Sequence, residues 1–389
     1  MNAKQTNLIT YGKQFIDSKD INCVKNSLKE KFITTGNFVK KFEDRIKKET
    51  NSKFVVTCIN ATAGLHLAFM AINLKKEDIV IMPAINFIAA YRMATLLGAK
   101  IFLADVDPYS GQMTPETLYK CINKNKISKI KLIITMYLGG YPQNIKEFYN
   151  IKKKYKCYLI EDACHALGAK YKFNNKFISV GSCMHSDISV FSFHPVKPIT
   201  TGEGGAITTN NKKIADKIFL LKNHGIKKRK NYWDYDISQL GFNYRLSDIN
   251  CSLGFSQIKK LSIFLSKRKK ICSLYAQRFL KYHNYLRVFT NNKNINSYHL
   301  ILLSINFQKL KYSKDHMINF LNKLNIFPQY HYKPIYKFSF YKKKNNNIFP
   351  GAEFFFKSNI SLPIFHSLSK KNQEKIVKSV IRYIIKHKK

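Results

Sequence analysis

One lysine stands apart from the rest of the chain. Lys197 lies in the run Phe191-Ser-Phe-His-Pro-Val-Lys-Pro-Ile-Thr-Thr-Gly-Glu-Gly-Gly205, which is apolar before the lysine and Gly-rich after it. A lysine among apolar neighbours loses its proton cheaply, and the free amine then attacks a carbonyl. That is the chemistry of a lysine that forms a Schiff base, and pyridoxal phosphate is the usual carbonyl partner. Lysines elsewhere carry no such signal, because they are dispersed along the whole chain as solvated surface groups.

Other residue types that suit this chemistry recur at separate places. Asp162 ends an apolar run and precedes Ala163-Cys-His-Ala166; a carboxylate there can pair with a pyridine nitrogen and keep it protonated. Ala61 and Thr62 follow a strand-like run where a helix begins, and free N–H groups with a hydroxyl make such an end an anion site. Ser192 offers a further hydroxyl. Phe87 can stack on a ring, and His165 and His194 flank the same region. Taken singly, each has a structural reading: a cap, a core aromatic, a packed histidine. Their common location gives them weight.

The location follows from the elements. Short apolar runs at Phe54–Ile59, Ile79–Met82, Lys100–Asp105, Lys131–Met136, Tyr158–Glu161, Asp187–Ser192 and Gly205–Thr209 read as strands. Ala63–Ile72, Ile88–Leu97, Pro115–Ile122 and Ile145–Tyr155 read as helices between them. Alternation of this kind predicts right-handed crossovers and a largely parallel sheet covered on both faces. Ligands gather at the carboxyl ends of such strands, and Thr62, Phe87, Asp162, Ser192 and Lys197 all fall there. Beyond Gly205 the spacing predicts helices over Lys212–Lys222, Leu246–Leu265 and Arg268–Leu280. A basic and aromatic loop is expected at Ile226–Tyr235, a strand at Leu300–Ile305, a loop at Pro328–Phe340 and a final amphipathic helix at Lys371–Ile385. The expected division is a large domain over residues 1–249 and a smaller α+β domain over 250–389. The Lys/Asn run at 342–347 reads as an exposed loop.

Composition bounds the function. The chain has 389 residues, 45% of them hydrophobic, enough for packed cores in two domains. It carries 67 basic against 23 acidic residues, a net +44. Dispersed lysines without a nucleic-acid motif argue against a nucleic-acid binder, while the charge still attracts anionic substrates. The eight cysteines form no CxxC pair, so no metal site and a reduced, cytoplasmic setting are expected. No signal peptide and no membrane-spanning segment are expected either.

Four motifs together resemble the DegT/DnrJ/EryC1/StrS family of pyridoxal-phosphate sugar aminotransferases. They are Asn60-Ala-Thr-Ala-Gly-Leu-His66, Glu161-Asp-Ala-Cys-His-Ala-Leu-Gly168, Ser192-Phe-His-Pro-Val-Lys197 with Thr200-Thr-Gly-Glu-Gly-Gly205, and Gly241-Phe-Asn-Tyr-Arg-Leu246. The resemblance implies an α/β fold of the aspartate-aminotransferase type, with a mainly parallel seven-stranded sheet and a smaller C-terminal α+β domain. It implies pyridoxal 5'-phosphate as cofactor, with Lys197 the catalytic lysine. Ala61, Thr62, Phe87, Asp162, His165 and Ser192 become cofactor contacts, and Asn243 is expected to reach the phosphate from the neighbouring subunit of a homodimer. Tyr11-Gly-Lys-Gln14, His331-Tyr-Lys-Pro-Ile-Tyr336 and Ser361-Leu-Pro-Ile-Phe365 resemble the branch serving pseudaminic acid synthesis. That implies a UDP-linked 4-keto sugar and L-glutamate as substrates, with Tyr11, His331 and Tyr332 on the substrate side. The alternatives are a perosamine-type enzyme acting on a GDP-linked sugar and a regulatory relative without turnover. Two positions depart from the family's habit: Cys164 stands where alanine is common, and Lys222 where arginine is usual.

Overall fold

The computed structural model describes residues 8–231, 233–341 and 349–389. The run at 342–347 lies outside them.

All seven expected strands of the large sheet form. In space they run Phe54–Cys58, Gly205–Thr209, Ile188–Ser192, Tyr158–Asp162, Leu132–Met136, Ile79–Pro83, Lys100–Ala104. Gly205–Thr209 is antiparallel to both of its neighbours, and the other pairings are parallel. The central strands Leu132–Met136 and Gly205–Thr209 are buried at every position. Residues pointing to both faces must therefore be apolar or paired, which is why the sequence reads as near-continuous apolar runs.

Local sequence fixes the helices that flank this sheet. Asn60 caps Ala61–Ala71 by accepting from the Ala63 amide at 2.9 Å. Thr114 and Thr117 form a reciprocal cap, with Pro115 opening Pro115–Lys124. Ile145–Tyr155 forms as expected, and Ile88–Leu96 starts directly after Phe87.

Three details differ from expectation, two of them after Gly205. Ile226–Lys228 and Tyr235–Ile237 pair as an antiparallel hairpin across the segment Ile226–Tyr235, expected to be a loop, and past its end. The long helix expected over Leu246–Leu265 breaks earlier, giving Asp248–Ile258 and Leu261–Phe279. The break falls at Lys260, whose ammonium is held by Asp17 at 2.9 Å and Asp20 at 2.6 Å. A second short hairpin, Lys170–Phe173 with Lys176–Ser179, was not anticipated.

The C-terminal part builds a three-stranded antiparallel sheet from Leu286–Val288, Ile301–Ile305 and Asn359–Leu362. Its apolar core includes Tyr275, Leu303, Ile360, Val380 and Tyr383. The final helix runs Lys370–His387. A two-residue strand, Ile9–Thr10, pairs in parallel with Ile326–Phe327. This pairing delivers Tyr11 to the segment that carries His331.

Candidate active site

A single cavity of about 410 Å³ gathers the residues singled out in the sequence, a size typical of small-ligand sites. Its walls include Tyr11, Ala61, Thr62, Phe87, Asp162, His165, Ser192, Lys197, His331 and Tyr332. Asn243 does not line it. That residue is exposed, on a bridge with Asn223.

Lys197 sits five residues beyond the strand Ile188–Ser192, in a tight turn where its amide donates to the His194 carbonyl at 2.9 Å. The residue is half-buried and lines the cavity. Burial pushes its ammonium below the usual lysine range; nearby Cys164 and Asp162 oppose that shift and Arg268 adds to it. Among the described residues its amine belongs to no ion pair within 4 Å.

Asp162 ends the strand Tyr158–Asp162 and is 3% exposed. Its Oδ1 accepts from the Cys164 amide at 3.2 Å. Burial raises its carboxyl above the usual range, although the Cys164 contacts and Lys197 draw it back. A carboxylate left this short of donors gains from a cationic partner in the cavity.

The start of Ala61–Ala71 faces the same space. The Asn60 side chain takes the Ala63 amide, and the Ala61 and Thr62 amides have no partner within the helix. Two free N–H groups, the helix dipole and the Thr62 hydroxyl make an anion cradle. Gly205 lets the neighbouring strand pass beneath it. A Cβ there would come within 2.7 Å of the Asn60 carbonyl carbon and 2.9 Å of the Ala61 nitrogen. Ser192 adds a half-buried hydroxyl at the end of its strand.

The opposite wall is aromatic. Phe87 is 51% exposed and its ring centroid lies 5.7 Å from that of Tyr332. The Tyr332 hydroxyl is 3.0 Å from His165 Nε2. His165 Nδ1 accepts from the Gly139 amide at 3.2 Å, and its ring lies 4.2 Å from the His299 ring. His331 packs on Tyr11 with centroids 5.0 Å apart and bonds Ser361 Oγ at 2.9 Å through Nδ1. Three distant motifs, around Tyr11, His331 and Ser361, thus meet at one place. Burial and nearby Lys197 push the His331 imidazole down to about 3, so it acts as a neutral ring.

Some wall residues had no distinct sequence signal. Leu65, Ala89, Met136 and Val196 line the cavity as ordinary apolar residues. Glu203 also lines it, and only its place in the Gly-rich turn hinted at that. His299, just before the expected strand Leu300–Ile305, and Arg268, which opens an expected helix, sit behind the wall.

The donor set fits pyridoxal phosphate: an unpaired amine, a buried carboxylate, an anion cradle and a free aromatic face surround one cavity. Fold and site therefore define an aminotransferase dependent on this cofactor. Comparison with known proteins gives the family. Residues 14–381 match the DegT/DnrJ/EryC1/StrS aminotransferase family, and the chain belongs to it, as a sugar aminotransferase. A Campylobacter jejuni protein, named UDP-4-amino-4,6-dideoxy-N-acetyl-β-L-altrosamine transaminase, is 38% identical over 379 residues, covering 97% of this chain and 98% of that one. The Helicobacter pylori aminotransferase PseC, described as acting in the biosynthesis of pseudaminic acid, superposes with a TM-score of 0.88 at 27% identity. That match covers 97% of this chain and 100% of PseC. The Streptococcus pneumoniae sugar aminotransferase Spr1654 in its pyridoxal-phosphate form also has a TM-score of 0.88, at 26% identity, with 97% and 99% coverage.

Lys222, at the family's usual arginine position, is 5% exposed and has found partners. Its Nζ donates to the Thr57 carbonyl at 3.0 Å and stands 3.7 Å from Glu43. All eight cysteines are free. Among the described residues no helix is long and apolar enough to cross a membrane, and no group of three metal-ligating side chains occurs.

Proposed function

We propose that the protein transfers the amino group of L-glutamate to the keto carbon of UDP-2-acetamido-2,6-dideoxy-β-L-arabino-hexos-4-ulose. The product is UDP-4-amino-4,6-dideoxy-N-acetyl-β-L-altrosamine, for pseudaminic acid synthesis. The observation that carries the aminotransferase chemistry is Lys197, unpaired and facing one cavity with Asp162 and Thr62. The choice of sugar is supported by chain-long similarity to the Campylobacter transaminase and by the meeting of the Tyr11, His331 and Ser361 motifs.

When bound, the cofactor supplies an electron sink that lets the substrate's carbon give up or accept a proton. The chain's residues do the rest. Lys197 Nζ, its proton made labile by burial, would hold the cofactor at its carbonyl carbon and, as a free amine, would serve as the base for the substrate's carbon-bound proton. Asp162 would pair with the pyridine nitrogen and keep it protonated. The Ala61 and Thr62 amides with the Thr62 and Ser192 hydroxyls would bind the phosphate, and Phe87 would cover a ring face. His165 would contact the cofactor from the aromatic wall. Tyr11, His331 and Tyr332 form the substrate side.

A homodimer with shared sites accounts for two features. Asn243 lies outside the cavity of its own chain, free to complete a partner's. The nearby hairpin exposes Trp233, Tyr235 and Ile237, each at least 59%, an apolar set that suits a protein interface. Eight free thiols suit a reducing cytoplasm.

The test is to incubate the protein with glutamate and with UDP- and GDP-linked 4-keto sugars side by side, then determine the configuration of the amino sugar formed. The L-altro product from the UDP sugar supports the reading. Turnover of the GDP sugar alone would overturn the substrate choice and leave the aminotransferase chemistry standing.

A further inference from the structure

His165 and Tyr332 form a hydrogen-bonded pair whose direction can be worked out. The Gly139 backbone N–H reaches His165 Nδ1 at 3.2 Å. An amide N–H can only donate, so Nδ1 must present its lone pair. A doubly protonated ring would set two N–H groups against each other. Burial and the nearby charge of Lys197 also hold this imidazole well below its usual range. The single ring proton therefore sits on Nε2, which lies 3.0 Å from the Tyr332 hydroxyl oxygen. That bond uses the tyrosine as acceptor.

The hydroxyl's own hydrogen must then point elsewhere. Among the described residues no protein group accepts it, and Tyr332 forms part of the wall shared by Lys197 and Asp162. Burial first, then the nearby Asp162, Tyr11 and Cys164, keep the phenol protonated well above its usual range, and His165 also touches it. His331 closes the other side with ring centroids 4.9 Å apart. Gly139 is a fixed point in this arrangement. Its φ is +73°, and a Cβ there would lie 2.8 Å from the Tyr141 ring, so the donating amide is anchored by a turn that only glycine suits.

We propose that Tyr332 is an oriented hydrogen-bond donor of the active site, its hydrogen directed by Gly139 and His165 into the cavity, toward an electron-rich oxygen bound beside Lys197. Two sources supply such an oxygen: the hydroxyl oxygen carried on the cofactor's pyridine ring, or the carbonyl oxygen of the keto sugar, which leaves as water during amination and gains from a donor as it does so. His165 is in this scheme a positioning residue, acting through the tyrosine. The inference rests on the aminotransferase reading and goes beyond it in assigning which atom donates.

The test has three measurements, with Tyr332→Phe removing one oxygen and keeping the ring. First, ¹⁵N spectra of histidine-labelled apoprotein, assigned with His165→Gln, should show His165 neutral and protonated on Nε2 at neutral pH. A charged ring or a proton on Nδ1 overturns the proposal. Second, the visible band of the loaded enzyme is titrated with pH. If the cofactor's oxygen takes the hydrogen, Tyr332→Phe raises the midpoint by about one unit, since an unsolvated oxygen anion holds the neighbouring proton more tightly. Third, single turnovers are followed for each substrate. If the sugar's oxygen takes the hydrogen, the midpoint stays and only the keto-sugar half-reaction slows, by about 10²-fold. Normal loading with both midpoint and keto-sugar rate unchanged in Tyr332→Phe sinks this inference alone. A wild type that never takes up the cofactor sinks the aminotransferase reading and the inference with it.

Discussion

Lys222 and Lys197 both turn inward in this lysine-rich chain, and their surroundings differ. Lys222 lies between the helix Asn37–Thr50 and the strand Phe54–Cys58. Glu43 stands 3.7 Å away and the Thr57 carbonyl 3.0 Å away. Glu43 is itself fixed by the Thr57 amide and hydroxyl, both at 2.8 Å. Lys197 is half-buried, facing the cavity, and has no such partners within ion-pair distance among the described residues. Burial alone therefore does not make a nucleophile. A buried lysine with a carboxylate and a carbonyl is a structural cation; one facing a cavity without them is held ready to lose its proton.

The contrast is broken most severely at Lys197. Lys197→Ala should abolish the visible band of bound cofactor and lower transamination by at least about 10⁴-fold, measured by absorbance and by amino-sugar formation. Lys222→Met should leave the band in place. It should instead lower stability by about 1–3 kcal/mol, because Glu43 and the Thr57 carbonyl lose their shared donor; denaturant unfolding reads this out. A reversal, with catalysis lost at residue 222 and kept at 197, would overturn the assignment.

Asp162→Asn comes next in size. The amide keeps the shape and loses the charge, so the pyridine nitrogen can no longer be held protonated. Turnover should fall by about 10²- to 10³-fold while the phosphate cradle at Ala61 and Thr62 still retains cofactor. Stoichiometric cofactor with unchanged turnover would remove Asp162 from the mechanism.

The unpaired state of Lys197 also shows in the stability of the cofactor-free protein. Its proton affinity in the fold lies below that of an ordinary lysine, because burial disfavours the charged form. Below the folded pKa the charge penalty is present in full. Between the folded pKa and the ordinary lysine range the unfolded chain binds more protons, so stability rises with pH. Lys197→Met carries no such penalty. The variant should exceed wild-type apoprotein in stability at neutral pH, and the gap should close as pH rises toward the ordinary lysine range. A gap that stays constant means Lys197 is not desolvated.

Much of this contrast was legible in the residues themselves. The seven strands, from Phe54–Cys58 to Gly205–Thr209, were read to within a residue or so at their ends, because sheets covered on both faces leave continuous apolar runs. Lys197 was legible because its neighbours were wrong for solvent. Lys222 was marked only as a departure from the family's arginine. Its partners Glu43 and Thr57 are local to another element, and no spacing links residue 222 to residue 43. The same limit hid the aromatic wall's support. His299 and Gly139 come from a strand edge and a turn, and only the tertiary fold places them against His165. The helix break at Lys260 was missed for a related reason: the ion pairs with Asp17 and Asp20 that mark it span about 240 positions.

Cys164 gives the smallest expected effect and the finest test of what surrounds Lys197. Its position usually holds alanine in this family, so the added thiol either matters to Asp162 or merely fills space. Its amide, which alanine retains, supplies the 3.2 Å bond to Asp162, while the thiol also draws that carboxyl down against the larger effect of burial. Its sulfur lies 3.7 Å from the Val190 carbonyl, a weak bond whose loss costs little. Burial, with Asp162 adding to it, holds the thiol well above its usual range, so no thiolate competes with the cofactor's nitrogen for space beside the carboxylate. Cys164→Ala should therefore keep cofactor affinity and kcat/KM within about threefold of wild type, which is under about 1 kcal/mol. A tenfold loss, or a displaced pH midpoint of the visible band, would mean that the sulfur itself tunes Asp162. The unpaired character of the Lys197 region would then depend on that sulfur.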